Sequence, residues 1–155
     1  MNGSTTRRGA LFCLAGAALL PAAPALAGEK ALVHRSPTCG CCGKWAEQLR
    51  AAGYDVSIVP ESDMPAVKQR LGVPAELGSC HTAEIGGYAV EGHVPVAAIA
   101  RLLKEKPQAT GIAVPGMPSG SPGMETGGEA DEYEVILFGP KGRQGYGKFR
   151  GSAPL

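Results

Sequence analysis

Aromatic residues make up only 5 % of the 155-residue chain, and charge of neither sign dominates: 15 Lys and Arg face 14 Asp and Glu, for a formal net charge of +1. The first shortage points to a small core. The second removes the basic field that a nucleic acid or an anionic lipid surface would need. No internal repeat and no long run of like charge occurs, which excludes a stacked-repeat architecture and a charged interaction tail. Past the N-terminal segment, no apolar stretch approaches the ~20 residues that span a bilayer. What the chain has in plenty is glycine and proline, 23 and 13, the mark of many turns and a small core.

The one sustained apolar run, "GALFCLAGAALL", follows Arg7 and Arg8 and precedes "APALA", whose Ala25 and Ala27 form a small-x-small pattern. A basic start, a short apolar core and such a cleavage pattern predict an export signal over 1–27. The run is too short for a membrane anchor and is interrupted by Pro21 and Pro24. The arginine pair fits the twin-arginine route and a general secretory signal nearly equally, so the route stays open. Cys13 lies inside this segment without a lipobox and is set aside. The mature chain, 28–155, is expected to form a single domain in an oxidising space outside the cytoplasm. Loss of 1–27 removes only Arg7 and Arg8 among the charged residues, leaving 13 basic against 14 acidic side chains and four cysteines.

Hydrophobic periodicity gives an alternating order. "KALVHR" (30–35) is a short β-prone run. The pattern "CGKWAEQLRAAG" then predicts a helix starting near Cys42, with Trp45, Leu49 and Ala52 on one face and Gly53 as a stop. "YDVSIVP" (54–60) alternates as a strand. Ser62 or Asp63 caps "MPAVKQRLG", whose Met64, Val67 and Leu71 form a stripe. Residues 81–92 read as two strands around Gly86-Gly87. Pro95 opens a helix with Val96, Ile99 and Leu103 facing inward. Residues 111–128 read as an unpaired Gly/Pro/Ser-rich loop that also carries methionine, and 133–139 with 145–150 as a closing hairpin. Strand, helix, strand, helix, hairpin and helix, with cysteines at the first strand-to-helix junction, predict an α/β, thioredoxin-like domain: a mixed sheet with helices packed on it. In that layout the loop "GSCHTAE" brings Cys80 and His81 toward Cys39, Cys41 and Cys42.

Four cysteines in a small exported domain are compatible with two structural disulfides. Cys39 and Cys42 also have the C-x-x-C spacing of a redox dithiol, with thiolates favoured by the helix N-terminus. Cys41 fits neither reading well, since it leaves an extra thiol beside any Cys39–Cys42 disulfide. Crowded thiolates suit a soft metal instead: several of them, with Cys80 opposite, can bridge more than one Cu(I) ion, and imidazole can complete the site. A structural zinc site usually draws on two separated knuckles, whereas here one dense cluster faces a single distant cysteine. An iron–sulfur cluster fits poorly in an oxidising compartment.

Outside the cysteines, His81 adjoins Cys80 and is the leading imidazole candidate, with a backbone-bonded strand histidine as the alternative. His93 precedes a helix and either reaches the site or orders its own turn. His34 ranks below both. Met117 and Met124 stand in the flexible loop "PGMPSGSPGME" without periodic apolar partners; thioethers bind copper without forming disulfides, although a methionine is more often a gap-filler in a core. Met64 belongs to a core stripe. Glu91 and Glu125 are expected to be solvated charges.

Taken together, "SPTCGCCGKW", "GVPAELGSCHTAEIGGYAVEGHVP" and "AVPGMPSGSPGME" closely resemble the CopG-type copper-resistance proteins, small exported proteins of Gram-negative bacteria. The resemblance runs over roughly residues 31–150, with the three motifs in the family's order. It implies a periplasmic, thioredoxin-like domain whose C-x-C-C turn and separate cysteine hold a cysteine-bridged multinuclear copper cluster. Carried over by position, the ligands are Cys39, Cys41, Cys42 and Cys80. His81, His93, Met117 and Met124 match the family pattern without being assigned as ligands by it, and nothing carries to His34.

The expected function is therefore copper binding for copper resistance, with Cu(I) held as a thiolate cluster and interconversion of Cu(I) and Cu(II) as an extension. Partners would be copper ions and other periplasmic copper-handling or efflux proteins, with no nucleic acid and no membrane span in the mature chain. Whether there is enzymatic turnover is left open. The competing reading is a periplasmic thiol–disulfide oxidoreductase using Cys39 and Cys42, with Cys41 or Cys80 resolving.

Overall fold

A computed structural model describes residues 28–155; the expected export segment 1–27, with Cys13, lies outside the described residues. The elements follow in the order β1 (Lys30–Arg35), α1 (Gly40–Ala51), β2 (Asp55–Pro60), α2 (Met64–Arg70), β3 (His81–Ile85), β4 (Tyr88–Glu91), α3 (Val96–Glu105), β5 (Gly111–Ala113), β6 (Glu132–Gly139), β7 (Gly142–Arg150) and β8 (Ala153–Pro154), with a 3-10 turn at Ala75–Leu77. All eight strands form one sheet in the order β2-β1-β3-β4-β5-β6-β7-β8. It is mixed: β1 is parallel to β2 and antiparallel to β3, and β4 is antiparallel to β3 and parallel to β5. The class is α/β, as the element order predicted. No helix among the described residues is long and apolar enough to cross a membrane.

Local chemistry accounts for the helices. The Asp63 carboxylate accepts a hydrogen bond from the Ala66 amide at 3.0 Å and a proline sits in the first turn of α2, so an orphan donor is capped and a residue without an N–H stands where none is needed. Helix α1 starts at Gly40, ahead of the expected Cys42, which puts Cys41 and Cys42 together in its first turn. Trp45 and Leu49 are buried as expected, but Ala52 lies beyond the helix and is exposed, and Ala46 takes the inward place. Helix α3 buries Ala98, Ile99 and Leu102, leaving Leu103 half-buried. These residues join Val33, Ala83, Ile85, Val90, Ile112 and Val135 of the sheet in one apolar cluster, and each fully buried large aliphatic contributes about 1.5–3 kcal/mol.

Residues 111–128 are not wholly unpaired. Gly111–Ala113 form β5, parallel to β4 and antiparallel to β6. All three are buried, so they show no alternation, and a run this short carries no period. Gly111 is needed at this point, because a Cβ there would fall 1.8 Å from the Ala89 carbonyl oxygen. The closing hairpin also extends further than expected, with β7 beginning at Gly142. Its first residues are solvent-exposed and lack the apolar alternation by which a strand is read.

Candidate metal centre

The end of β1, the start of α1, the turn before β3 and the turn after β4 meet at one edge of the apolar cluster. Cys39 is the N-cap residue of α1, with φ −79° and ψ 102°, and its side chain makes no capping bond. Its sulfur, with those of Cys41 and Cys42, therefore sits at the positive end of the helix dipole, where negative charge is favoured. Arg35, at the end of β1, donates from Nη1 to the Cys39 carbonyl at 2.7 Å and pins the turn from below.

The fourth cysteine arrives from a distant segment. Cys80 Sγ lies 3.7 Å from Cys41 Sγ and 3.6 Å from Cys42 Sγ, while the Cys39 and Cys41 sulfurs are 3.4 Å apart. Cys39 and Cys42 are joined as a disulfide, and Cys41 and Cys80 are free thiols. All four sulfurs lie within 4.8 Å of one another, and a second set with the same spacing consists of Cys80, His81 and His93. Cys80 belongs to both sets and is the hub.

The two imidazoles converge on the Cys80 sulfur and are held in different ways. His93 is buried; its Nδ1 donates to the Pro122 carbonyl at 2.7 Å, and its Nε2 faces Cys80 Sγ at 3.1 Å. In a neutral ring that leaves the lone pair on Nε2, directed at the sulfur, the tautomer a metal-ligating histidine adopts. His81 presents Nδ1 to the same sulfur at 3.2 Å, packs on Trp45 at a ring separation of 4.4 Å and stands edge-on to His93 at 5.0 Å. Its Nε2 is buried without a hydrogen-bond partner. Trp45 completes the wall and donates from Nε1 to the Val94 carbonyl at 2.9 Å.

Burial controls the protonation states. Desolvation, followed by the charge of and hydrogen bonding to Cys41, pushes the Cys80 thiol up to about 12. Desolvation holds His81 well below the usual histidine value, helped by His93 and Lys68, and desolvation lowers His93. At neutral pH the pocket thus holds a thiol and two neutral imidazoles. A soft cation bound there would have to displace a proton from Cys80 and would meet the lone pair of His93 Nε2.

The loop after β5 covers this site through its backbone. Ser79 donates its hydroxyl to the Gly116 carbonyl, Gly116 N donates to the Gly78 carbonyl at 3.2 Å, and Pro122 accepts from His93. At Gly123, with φ +85°, a Cβ would lie 2.8 Å from the Cys41 carbonyl oxygen and 3.0 Å from Trp45 N. Met117 is 54 % exposed and Met124 half-buried; both sit on this covering loop.

His34 is engaged elsewhere: its buried ring bridges Glu61 at 2.8 Å and Glu84 at 2.9 Å. Glu125 is exposed, as expected, but Glu91 is not solvated; it is 0 % exposed and ion-paired with Lys68. Sequence reasoning also missed Arg35, the Pro122 carbonyl and Gly123. Glu91 ends the run "YAVE", and only the structure gives that strand β3 on one side and β5 on the other.

A family model described as "Protein of unknown function, DUF411" matches residues 77–124, the stretch with Cys80, His81, His93, Met117 and Met124. Two solved structures named copper resistance protein CopG, Form 1 and Form 2, are each 47 % identical to this chain with a TM-score of 0.75. The first match covers 80 % of this chain and 99 % of that one, the second 79 % and 98 %. No curated protein matches. With nearly half its aligned residues identical over almost the whole of those two structures, the chain belongs to the CopG copper-resistance protein family.

Proposed function

We propose that this protein is an exported copper-binding protein acting in copper resistance, which holds Cu(I) in a multinuclear cluster bridged by Cys39, Cys41, Cys42 and Cys80. The observation that carries this reading is the convergence of four sulfurs within 4.8 Å from two segments far apart in the chain. A thiolate has lone pairs to spare after binding one soft ion, so crowded thiolates share ions and Cu(I) accepts the low coordination number that results. His81 and His93 supply imidazoles on the Cys80 side, and Met117 and Met124 supply thioethers from the covering loop. Full occupancy requires two electrons and two protons from a reductant to open the Cys39–Cys42 disulfide; closing it again would release two electrons, enough to convert two Cu(II) to two Cu(I), which suits the centre to interconverting Cu(I) and Cu(II).

The remaining parts of the reading fit this chemistry. The order β2-β1-β3-β4, with α1, α2 and α3 in the connections, supports a thioredoxin-like arrangement within a single domain, 28–155. The family named by its solved relatives supports copper resistance, and the signal-like 1–27 segment supports a periplasmic location, where copper-handling or efflux proteins are the natural partners.

A thiol–disulfide oxidoreductase is the second reading, favoured by the Cys39–Cys42 disulfide with Cys80 Sγ 3.6 Å from Cys42. Anaerobic Cu(I) titration of the reduced protein against a competing chelator, beside Cys80→Ser, separates the two. The copper reading expects more than one tightly held ion per chain and a sharp loss of capacity in the variant. One ion or fewer, unchanged by Cys80→Ser, would leave the oxidoreductase in its place.

A further inference from the structure

We propose that Glu91 is a positioning residue whose buried carboxylate sets Cys80 at the hub of the sulfur cluster. What the position is for rests on the copper reading above; the position itself rests on geometry. Glu91 is the one fully buried acidic side chain among the described residues. Its Oε1 accepts from the Ser79 amide at 2.6 Å and from the Lys68 ammonium at 2.5 Å, and its Oε2 accepts from the Thr82 hydroxyl at 2.6 Å. Taking the Glu91 carboxylate fully and the Lys68 side chain mostly out of water is costly, and apolar replacements of such pairs are often neutral or better for stability. Stability alone is therefore a weak reason for a charge here.

The Ser79 contact gives a stronger one. Sheet pairing begins at His81, so no ladder bond holds Cys80, and its sulfur is only as well placed as the turn before it. That turn is held at Ser79 N by Glu91, at the Ser79 hydroxyl by Gly116, and at the Gly78 carbonyl by Gly116 N. Next to Glu91, Gly92 has φ +75°, and a Cβ there would lie 2.6 Å from Ser79 Cβ, so only glycine lets the two turns touch. Next comes His93, whose Nε2 lies 3.1 Å from Cys80 Sγ. Three consecutive residues thus grip the cysteine's turn, make room for it and lay an imidazole against its sulfur.

The test compares two double variants that both remove the Glu91–Lys68 charge pair. Glu91→Gln with Lys68→Met keeps an amide oxygen able to accept from Ser79 N; Glu91→Leu with Lys68→Met does not. Site-resolved mass spectrometry of iodoacetamide alkylation is the deciding readout, because it follows the Cys80 sulfur without any metal. In the Leu/Met variant the Cys80 rate is expected to change about three-fold or more with Cys41 steady, and anaerobic Cu(I) affinity to fall about ten-fold. The Gln/Met variant is expected to stay near wild type in both. Cys80 rates that do not separate the two variants, or a failure of both to fold, would overturn the proposal. If the rates separate while Cys80→Ser leaves Cu(I) binding unchanged, Glu91 still positions Cys80 and the copper reading is what fails.

Discussion

The sulfur of Cys80 lies 3.7 Å from that of Cys41, although 39 residues separate them in the chain. Cys80 touches both halves of the site, with the Cys41 and Cys42 sulfurs on one side and the His81 and His93 rings on the other. The behaviour of the centre should therefore depend on the chain's oxidation state and on what holds those two rings.

With Cys39 and Cys42 joined, two of the four sulfurs are tied to each other, and Cys41 and Cys80 remain free. Cu(I) capacity is expected to fall by about half or more in the air-oxidised protein and to recover on reduction, because sulfurs tied in a disulfide are no longer thiolates and cannot bridge the ion. Parallel anaerobic titrations before and after a reductant check this. Equal capacity in both states would mean that Cys39 and Cys42 take no part.

His93 is tied to the covering loop through Pro122 and directs Nε2 at Cys80. His93→Ala is expected to weaken Cu(I) binding by about 10–100-fold, the scale for losing an oriented metal-site imidazole or its support. His34→Ala should leave copper binding unchanged, since that ring is taken up by Glu61 and Glu84, and should lower the melting temperature instead. Chelator competition and thermal melts on the two variants would show whether these effects separate.

Both site histidines are held below the usual value near 6.5, chiefly by burial. As pH falls below about 6.5, the unfolded chain takes up protons at these positions while the folded chain does not, so stability drops with falling pH. The slope is at most ~1.4 kcal/mol per pH unit for each histidine. Denaturant melts of the metal-free protein between about pH 7 and pH 5 should show the midpoint moving down. A His93→Gln variant should lose part of that dependence.

Gly123→Ala is expected to cost about 1–3 kcal/mol, because its φ of +85° disfavours a side chain and the added Cβ meets the Cys41 carbonyl and Trp45 N. Relief requires the covering loop to move off the start of α1. The variant should melt lower and its Cys41 should alkylate faster, whereas Gly127→Ala, with positive φ but open space around it, should leave the Cys41 rate alone.

Much of this is legible in the amino-acid sequence. The C-x-C-C turn, the strand ahead of it, a cap at Ser62 or Asp63, which the structure resolves to Asp63, and Pro95 at the start of α3 are local patterns, fixed by spacings of two to four residues. The prediction that "GSCHTAE" meets the cysteine turn needed a fold hypothesis as well. Strand β5 was missed because three buried residues have no period, and Glu91 was misjudged because charge alone says nothing about what covers a position.

The chemical character of the centre is written in the chain: three cysteines in four residues at a helix N-terminus, with a Cys-His pair and methionines elsewhere. Side-chain type and local spacing are properties of the chain and survive in any fold. That Cys80 is the hub, that Pro122 fixes the His93 tautomer, and that a buried Glu91 grips the Ser79 amide emerge only when the chain folds. Those facts depend on which segments meet after long loops close, and burial, hydrogen-bond partners and protonation follow from that meeting.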